Sequence, residues 1–317
     1  MSRKVAVVAI GGNSLIKSKE HQTIPDQYNA IFETCTHIEK IIELGYDVVI
    51  THGNGPQVGF ILLRSEIAFK SPEKIHPVPL DSCGADTQGA IGYQIQQALG
   101  NIFTQKKIKK EVVTVVTQVL VDKNDDAFKN PSKPVGPFYT KEEAEERKRD
   151  NKWDMKEDAG RGYRRVVASP IPKEIIEQDA IKHLIGKGFV VVAVGGGGIP
   201  VVKDKDGLLK GVPAVIDKDF ASGLLASNIK ADLFIISTAV EKVSLNFKTP
   251  EQIDLDRITL KEAEKYLADG HFAKGSMEPK IKAVIKFLKE GGTAAIITCP
   301  EKLHDAISNK TGTHIIA

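Results

Sequence analysis

Apolar positions along this chain alternate between two rhythms. Short continuous runs, "KVAVVAI", "YDVVITH", "VVTVVTQVLV", "RRVVAS", "FVVVAVG", "ADLFIIST" and "TAAIIT", are rich in β-branched residues and read as strands buried on both faces. Between most of them lie stretches whose apolar residues recur three and four positions apart. In the first, Ile31, Cys35, Ile38, Ile41 and Ile42 share one helical face, and Gly45 stands where a C-terminal cap belongs. Strands alternating with amphipathic helices predict an α/β fold around a parallel sheet.

Two stretches break the alternation. Residues 122–163 are rich in Lys, Glu, Pro and Asp, and within them "TKEEAEERKRDN" reads as a solvated helix opened by a capping box of Thr140 and Glu143. Phe128, Phe138, Tyr139, Trp153 and Tyr163 flank that helix, enough aromatic surface to predict a folded protrusion with a small core of its own. The second stretch, "VVKDKDGLLKGVPAV", reads as a hairpin turning near Asp206 and Gly207.

Composition narrows the function classes. With 317 residues, 41% apolar and 27% charged, the chain can build one large α/β domain or two fused lobes. Its 44 basic and 41 acidic residues nearly balance, which argues against a dedicated nucleic-acid or membrane-surface protein and leaves small anionic ligands open. Cys35, Cys83 and Cys299 are odd in number and far apart, so no disulfide framework is expected and a reducing, cytoplasmic setting fits. The opening "MSRKVAVVAIGGN" reads as a first strand and not as a signal peptide, and no apolar run is long enough to span a membrane.

Three strands end in glycines: "AIGGN" at Gly11 and Gly12, "THGNGPQ" at Gly53 and Gly55, and "VGGGGIP" from Gly195 to Gly198. Ligands of open α/β sheets bind beyond the carboxyl ends of strands, where loops offer backbone N–H groups, so three such loops together predict an anion cradle. The spelling excludes familiar alternatives. No Walker A pattern occurs, "GNGPQVG" is one residue too long for a dinucleotide fingerprint, and neither a nucleophile elbow nor a His-rich metal motif is present. Cations do stand in suggestive places. Lys218 lies between Asp217 and Asp219 as a helix begins, where an aspartate either caps the helix or holds the ammonium toward a phosphoryl group. Lys280 follows Pro279 in the first turn of another helix, where it opposes the macrodipole unless an anion is near.

The segments "GGN", "THGNGPQVG", "NPSKPVGPFY", "EDAGRGYRRVVASP", "GGGGIPV", "VIDKDFAS" and "GSMEPK", in this order, resemble the carbamate kinases of the amino acid kinase superfamily over essentially the whole chain. The resemblance implies a three-layer α/β sandwich with a mostly parallel central sheet, usually as a homodimer. It implies an amino-terminal lobe for the acyl phosphate over residues 1–212, carrying the 122–163 protrusion as a lid, and an ATP lobe over residues 213–317. The activity implied is reversible phosphoryl transfer between ATP and carbamate, giving carbamoyl phosphate and ADP, in the direction of ATP synthesis during arginine breakdown.

Roles follow from the same resemblance. Gly11, Gly12 and Asn13, with Gly53, Asn54 and Gly55, are expected to bind carbamoyl phosphate through backbone N–H groups. Lys218 and Lys280 are expected on the nucleotide phosphates and the transferring phosphoryl, oriented by Asp219. Ala239, Val240 and Met277 are expected at the nucleotide, and Mg²⁺ on the phosphate oxygens with few protein ligands. Many superfamily relatives carry a lysine two residues before the first glycine pair, where this chain has Ala9. Lys133, on a loop stiffened by Pro131, Pro134 and Pro137, is expected to supply the missing cation. Two alternatives remain at this stage: another superfamily kinase acting on a carboxylate or nucleotide, and a non-catalytic nucleotide sensor on the same fold.

Overall fold

The computed structural model describes residues 3–16, 21–158 and 160–317, leaving out the side chain of Asn13. The chain begins with β1 (Lys4–Ile10), α1 (Ile24–Glu43), β2 (Tyr46–His52), α2 (Gln57–Lys70), α3 (Leu80–Lys106), β3 (Val112–Thr114) and β4 (Gln118–Val121). Then come β5 (Lys133–Tyr139), α4 (Lys141–Asn151), β6 (Met155–Glu157), β7 (Tyr163–Val167), β8 (Pro172–Ile175), α5 (Gln178–Gly186), β9 (Val190–Val192), β10 (Ile199–Lys203) and β11 (Leu209–Gly211). The remainder is α6 (Lys218–Asn228), β12 (Leu233–Ser237), β13 (Val243–Leu245), β14 (Ile253–Leu255), β15 (Arg257–Thr259), α7 (Leu260–Ala268), α8 (Met277–Lys289), β16 (Ala294–Thr298), α9 (Leu303–Ile307) and β17 (Thr313–Ile316).

The central sheet has eight strands in the order β15-β17-β16-β12-β1-β2-β9-β3. Its pairings are parallel except for β16 with β17. Because successive strand residues point to opposite faces, β1 feeds both cores: Val7 and Ala9 join one, and Ala6, Val8 and Ile10 the other. On the first side they meet Ala221 and Leu225 of α6 and Ile281 and Val284 of α8. On the second they meet Ile31, Cys35 and Ile38 of α1 and Ile91, Ile95 and Leu99 of α3. Burial on both faces is the reason the strands read as unbroken apolar runs, and it makes the three layers. Helix α1 forms where the sequence placed it, opened by a capping box between Thr23 and Asp26 and closed before Gly45, whose φ of +90° only glycine adopts without strain. The β10–β11 hairpin also forms around Asp206 and Gly207.

Four expectations change. "VVTVVTQVLV" is two strands, because the chain leaves the central sheet after Val115 and enters a second sheet, β11-β10-β4-β8. At the crossing Thr117 is fully buried and its backbone N–H donates to Gln88 Oε1 (2.8 Å), so a side chain satisfies what the sheet gives up. "RRVVAS" is not a parallel strand. As β7 it lies between β5 and β6 in an antiparallel three-stranded sheet, with Val167 packed on Val58, Leu80 and Val215 of the main body. Lys133 opens strand β5, opposite Val167, and so is not on a loop. Among the described residues the protrusion has no aromatic core. Arg147 stacks on Tyr139 and Trp153, Arg165 on Trp153, and Arg161 and Arg164 on Phe138, while the buried apolar side chains include Val135, which packs against the main body, Ala144 and Met155. Guanidinium groups take the aromatic faces that a larger subdomain would bury against each other. The expected helix α4 does form, with Thr140 and Glu143 as its capping box.

The protrusion is docked on α2. A Cβ added to Gly59 would lie 2.7 Å from the Cα of Gly136, so the two backbones meet with no side chain between them. Arg147 also pairs with Glu66 of α2.

Candidate active site

Beyond the carboxyl ends of β1 and β2, between α6, α8 and the protrusion, lies a cleft of about 730 Å³. Among the described residues its charged lining is Lys133, Arg161, Arg164, Lys218 and Lys280 against Asp217 and Asp219, an excess of positive charge suited to a phosphorylated ligand.

The cations are held by carboxylates. Asp217 caps α6, its Oδ1 accepting from the N–H of Asp219 (2.9 Å) while its Oδ2 accepts from Lys133 Nζ (2.7 Å). Asp219, one residue inside the helix and 3% exposed, accepts from Lys218 Nζ at Oδ1 (2.5 Å) and from Lys280 Nζ at Oδ2 (3.0 Å). Burial alone would raise the Asp219 carboxyl, but the Lys218 and Lys280 ammonium groups outweigh it and hold the pKa at about 2. The Lys218 stem passes Gly53, which leaves room for it. The first turn of α6 is tied to the sheet by Ser222, whose Oγ donates to Lys218 O (2.6 Å) and accepts from Thr51 Oγ1 (2.6 Å). The Lys280 ammonium also donates to Ser276 O (3.2 Å), back across the start of α8.

The glycine loops divide their work. Gly12, Gly53, Asn54 and Gly55 line the cleft, whereas Gly11 is buried against Ser237 and Asn13 is described only in its backbone. The N–H of Gly53 is engaged by Ile10 O (3.1 Å), whereas those of Asn54 and Gly55 have no partner among the described residues. Among the described residues of the third loop only Gly196 lines the cleft, with Gly195, Gly197 and Gly198 buried as a platform beneath the second. Gly196 has φ +67°, and a Cβ there would lie 2.0 Å from Asn54 Oδ1. The expected three-loop cradle is therefore two loops resting on a third.

His52 belongs to that platform. Its Nδ1 donates to Gly53 O (2.9 Å), its Nε2 faces Gly195 and has no hydrogen-bond partner among the described residues, and burial drives its pKa down to about 4. A neutral, enclosed imidazole supports the loop and offers no base to a substrate. Ala9, on β1 two residues before the Gly11–Gly12 pair, is fully buried in the α6-side core.

The structure brings together Gly12, Gly53, Asn54, Gly55, Lys133, Lys218, Asp219 and Lys280 in one cleft. It places Met277 just outside, as the first residue of α8, and Val240 on a separate cavity of about 260 Å³ that Ala239 does not line. Asp217 as the partner of Lys133, and the arginines Arg161 and Arg164, are not singled out by sequence spacing. The only signal is the arginine-rich, glycine-flanked segment "GRGYRR". Among the described residues no group of three or more His, Cys, Asp or Glu could hold a metal ion. Both oxygens of Asp217 and of Asp219 are already engaged, so the donor set fits a magnesium carried on phosphate oxygens and not a protein cage.

Comparison with known proteins identifies the family. The Amino acid kinase family matches residues 4–299. The chain is 51% identical to the carbamate kinase-like protein YahI of Escherichia coli and 48% identical to the carbamate kinase of Pyrococcus horikoshii, covering 99% and 98% of each chain respectively. Among solved structures, carbamate kinase from Giardia lamblia bound to AMP-PNP superposes with a TM-score of 0.91 at 44% identity, over 99% of both chains. The chain belongs to the amino acid kinase family, among its carbamate kinases.

Proposed function

We propose that the protein transfers a phosphoryl group reversibly between ATP and carbamate, with carbamoyl phosphate and ADP as the other pair. The observation that carries this reading is Asp219, buried between Lys218 and Lys280 and connected through Asp217 to Lys133. One ionised carboxylate fixes two ammonium groups where charge spreads over the transferring oxygens, which is how an in-line phosphoryl transfer is stabilised. Carbamate is already an anion, so no general base is needed, and the carboxylates that line the cleft, Asp217 and Asp219, are engaged by lysines. Gly12, Asn13, Asn54 and Gly55 take the acyl end, with Gly11 and Gly53 shaping those loops. Lys218 and Lys280 take the nucleotide phosphates, and Lys133 on the protrusion takes the transferring group. Ala239, Val240 and Met277 lie toward the nucleoside. Magnesium, bound on the phosphates, supplies further positive charge there.

In this reading residues 1–212 form the acyl-phosphate lobe, residues 213–317 the ATP lobe, and the docked protrusion a lid that excludes water. A homodimer in the cytoplasm, making ATP from carbamoyl phosphate released by arginine breakdown, completes the proposal. Among the described residues no helix is long and apolar enough to cross a membrane. The similarity to a protein named only carbamate kinase-like favours a second reading, a different small carboxylate as acceptor in the same cleft. Purified protein given magnesium, ADP and carbamoyl phosphate is expected to make ATP. No ATP from carbamoyl phosphate, with phosphorylation of another carboxylate, would establish the second reading.

A further inference from the structure

We infer that Arg164, with Arg161 beside it, is a binding site on the protrusion for the small acyl substrate, at the end of the cleft away from Lys280. The inference rests on the phosphoryl-transfer reading above for the identity of that substrate. Both arginines line the cleft. Asp158 divides its carboxylate between them, Oδ1 accepting from Arg161 Nη2 (3.2 Å) and Oδ2 from Arg164 Nη1 (3.2 Å). Two guanidinium groups against one carboxylate leave the trio a net cation. Phe138 orients both, its ring centroid 4.9 Å from Arg161 Cζ and 5.2 Å from Arg164 Cζ.

Arg164 is the better placed of the two. It is 24% exposed against 58% for Arg161, and its Nε donates to Gly136 O (3.1 Å). Its Nη2 has no hydrogen-bond partner among the described residues, so one arm of the fork is open. Gly136 touches Gly59 in the first turn of α2, directly after the Gly53–Pro56 loop. The bond to Gly136 therefore places Arg164 on the acyl side of the cleft, whereas Lys280 stands on α8 and Ser276 just before its first turn. The open Nη2 donates in the guanidinium plane, in a direction fixed by the two bonds already made, toward a carboxylate or phosphate oxygen, and an ammonium point charge does not reproduce that direction. Docking of the protrusion would then complete the acyl site as well as deliver Lys133.

Steady-state kinetics of ATP synthesis test this. Arg164→Gln is expected to raise the KM for carbamoyl phosphate by about ten- to hundredfold, the scale of one lost charge-assisted hydrogen bond, and to leave the KM for ADP unchanged. Arg164→Lys restores the charge without the fork and should recover the constant only in part, and Arg161→Gln should give a smaller rise. Calorimetric titration with inorganic phosphate gives a readout that needs no turnover, with affinity expected to fall about tenfold in Arg164→Gln. A wild-type protein that makes no ATP would remove the carbamate reading, while the phosphate titration still tests the arginine site. Unchanged carbamoyl phosphate KM and phosphate affinity in folded Arg164→Gln, or in Arg164→Lys and Arg161→Gln should that variant not fold, would overturn the inference. So would a rise confined to the KM for ADP.

Discussion

Replacing Asp219 by Asn keeps the shape of the side chain and removes its charge. In the native protein each carboxylate oxygen accepts from one lysine, at 2.5 and 3.0 Å, in a setting where all three side chains are 15% exposed or less. An amide offers one acceptor and turns an NH2 toward the other ammonium, so Asp219→Asn leaves Lys218 and Lys280 facing each other around a neutral group. The depression of the carboxyl from 3.8 to about 2 corresponds to about 2 kcal/mol in favour of the ionised form in the folded protein. A carboxyl whose pKa falls on folding contributes that stability above its unfolded value and loses it as pH falls through the folded one. The window is thus from about pH 4 down to about pH 2. At neutral pH the variant is expected to melt about 3 °C lower and to retain its circular dichroism. Its kcat for ATP synthesis is expected to fall by about a hundredfold or more, because both lysines lose the group that aims them. Wild-type kcat and an unchanged melting point in Asp219→Asn would refute the idea that this carboxylate organises the site.

Lys133→Ala is expected to lower kcat strongly while the KM for ADP changes little, since the residue acts on the transferring group. Its pair with Asp217 is partly exposed, 33% and 18%, so stability should change by less than about 1 kcal/mol, and a kcat equal to wild type would show the lysine to be bland. The buried neutral His52 predicts a second pH effect. As pH falls from about 6.5 to about 4 the unfolded chain gains a proton that the folded imidazole refuses, so the protein loses about 3 kcal/mol over that range. Urea unfolding at several pH values should show this slope in the wild type and not in His52→Gln, and equal slopes in both would place the titration elsewhere.

Local pattern was enough for much of the fold. The two-faced burial of β1 and β2, the helical stripe of α1 ending at Gly45, the α4 capping box and the β10–β11 turn are each set by residues within a few positions of one another, where backbone preference and side-chain spacing act directly. The same is true of Lys218 beside Asp219 at the start of α6. What local pattern could not decide is where one apolar run serves two sheets, as at Val115 to Gln118, or which sheet receives β7. Both depend on partners distant in sequence, Gln88 for the first and Val58 and Leu80 for the second.

The site divides in the same way. Ordered segments along the chain identified the loops and the lysines, but only folding pairs Lys133 with Asp217, 84 residues away, and Lys280 with Asp219, 61 residues away. Only folding turns the third glycine loop into a support for Asn54 and sets Arg161 and Arg164 at the cleft. A lysine's charge is written in its residue type. Its direction, and the depressed pKa of the carboxylate that holds it, arise from burial and from the approach of oppositely charged groups, and these exist only once sheet, helices and protrusion have closed around the cleft.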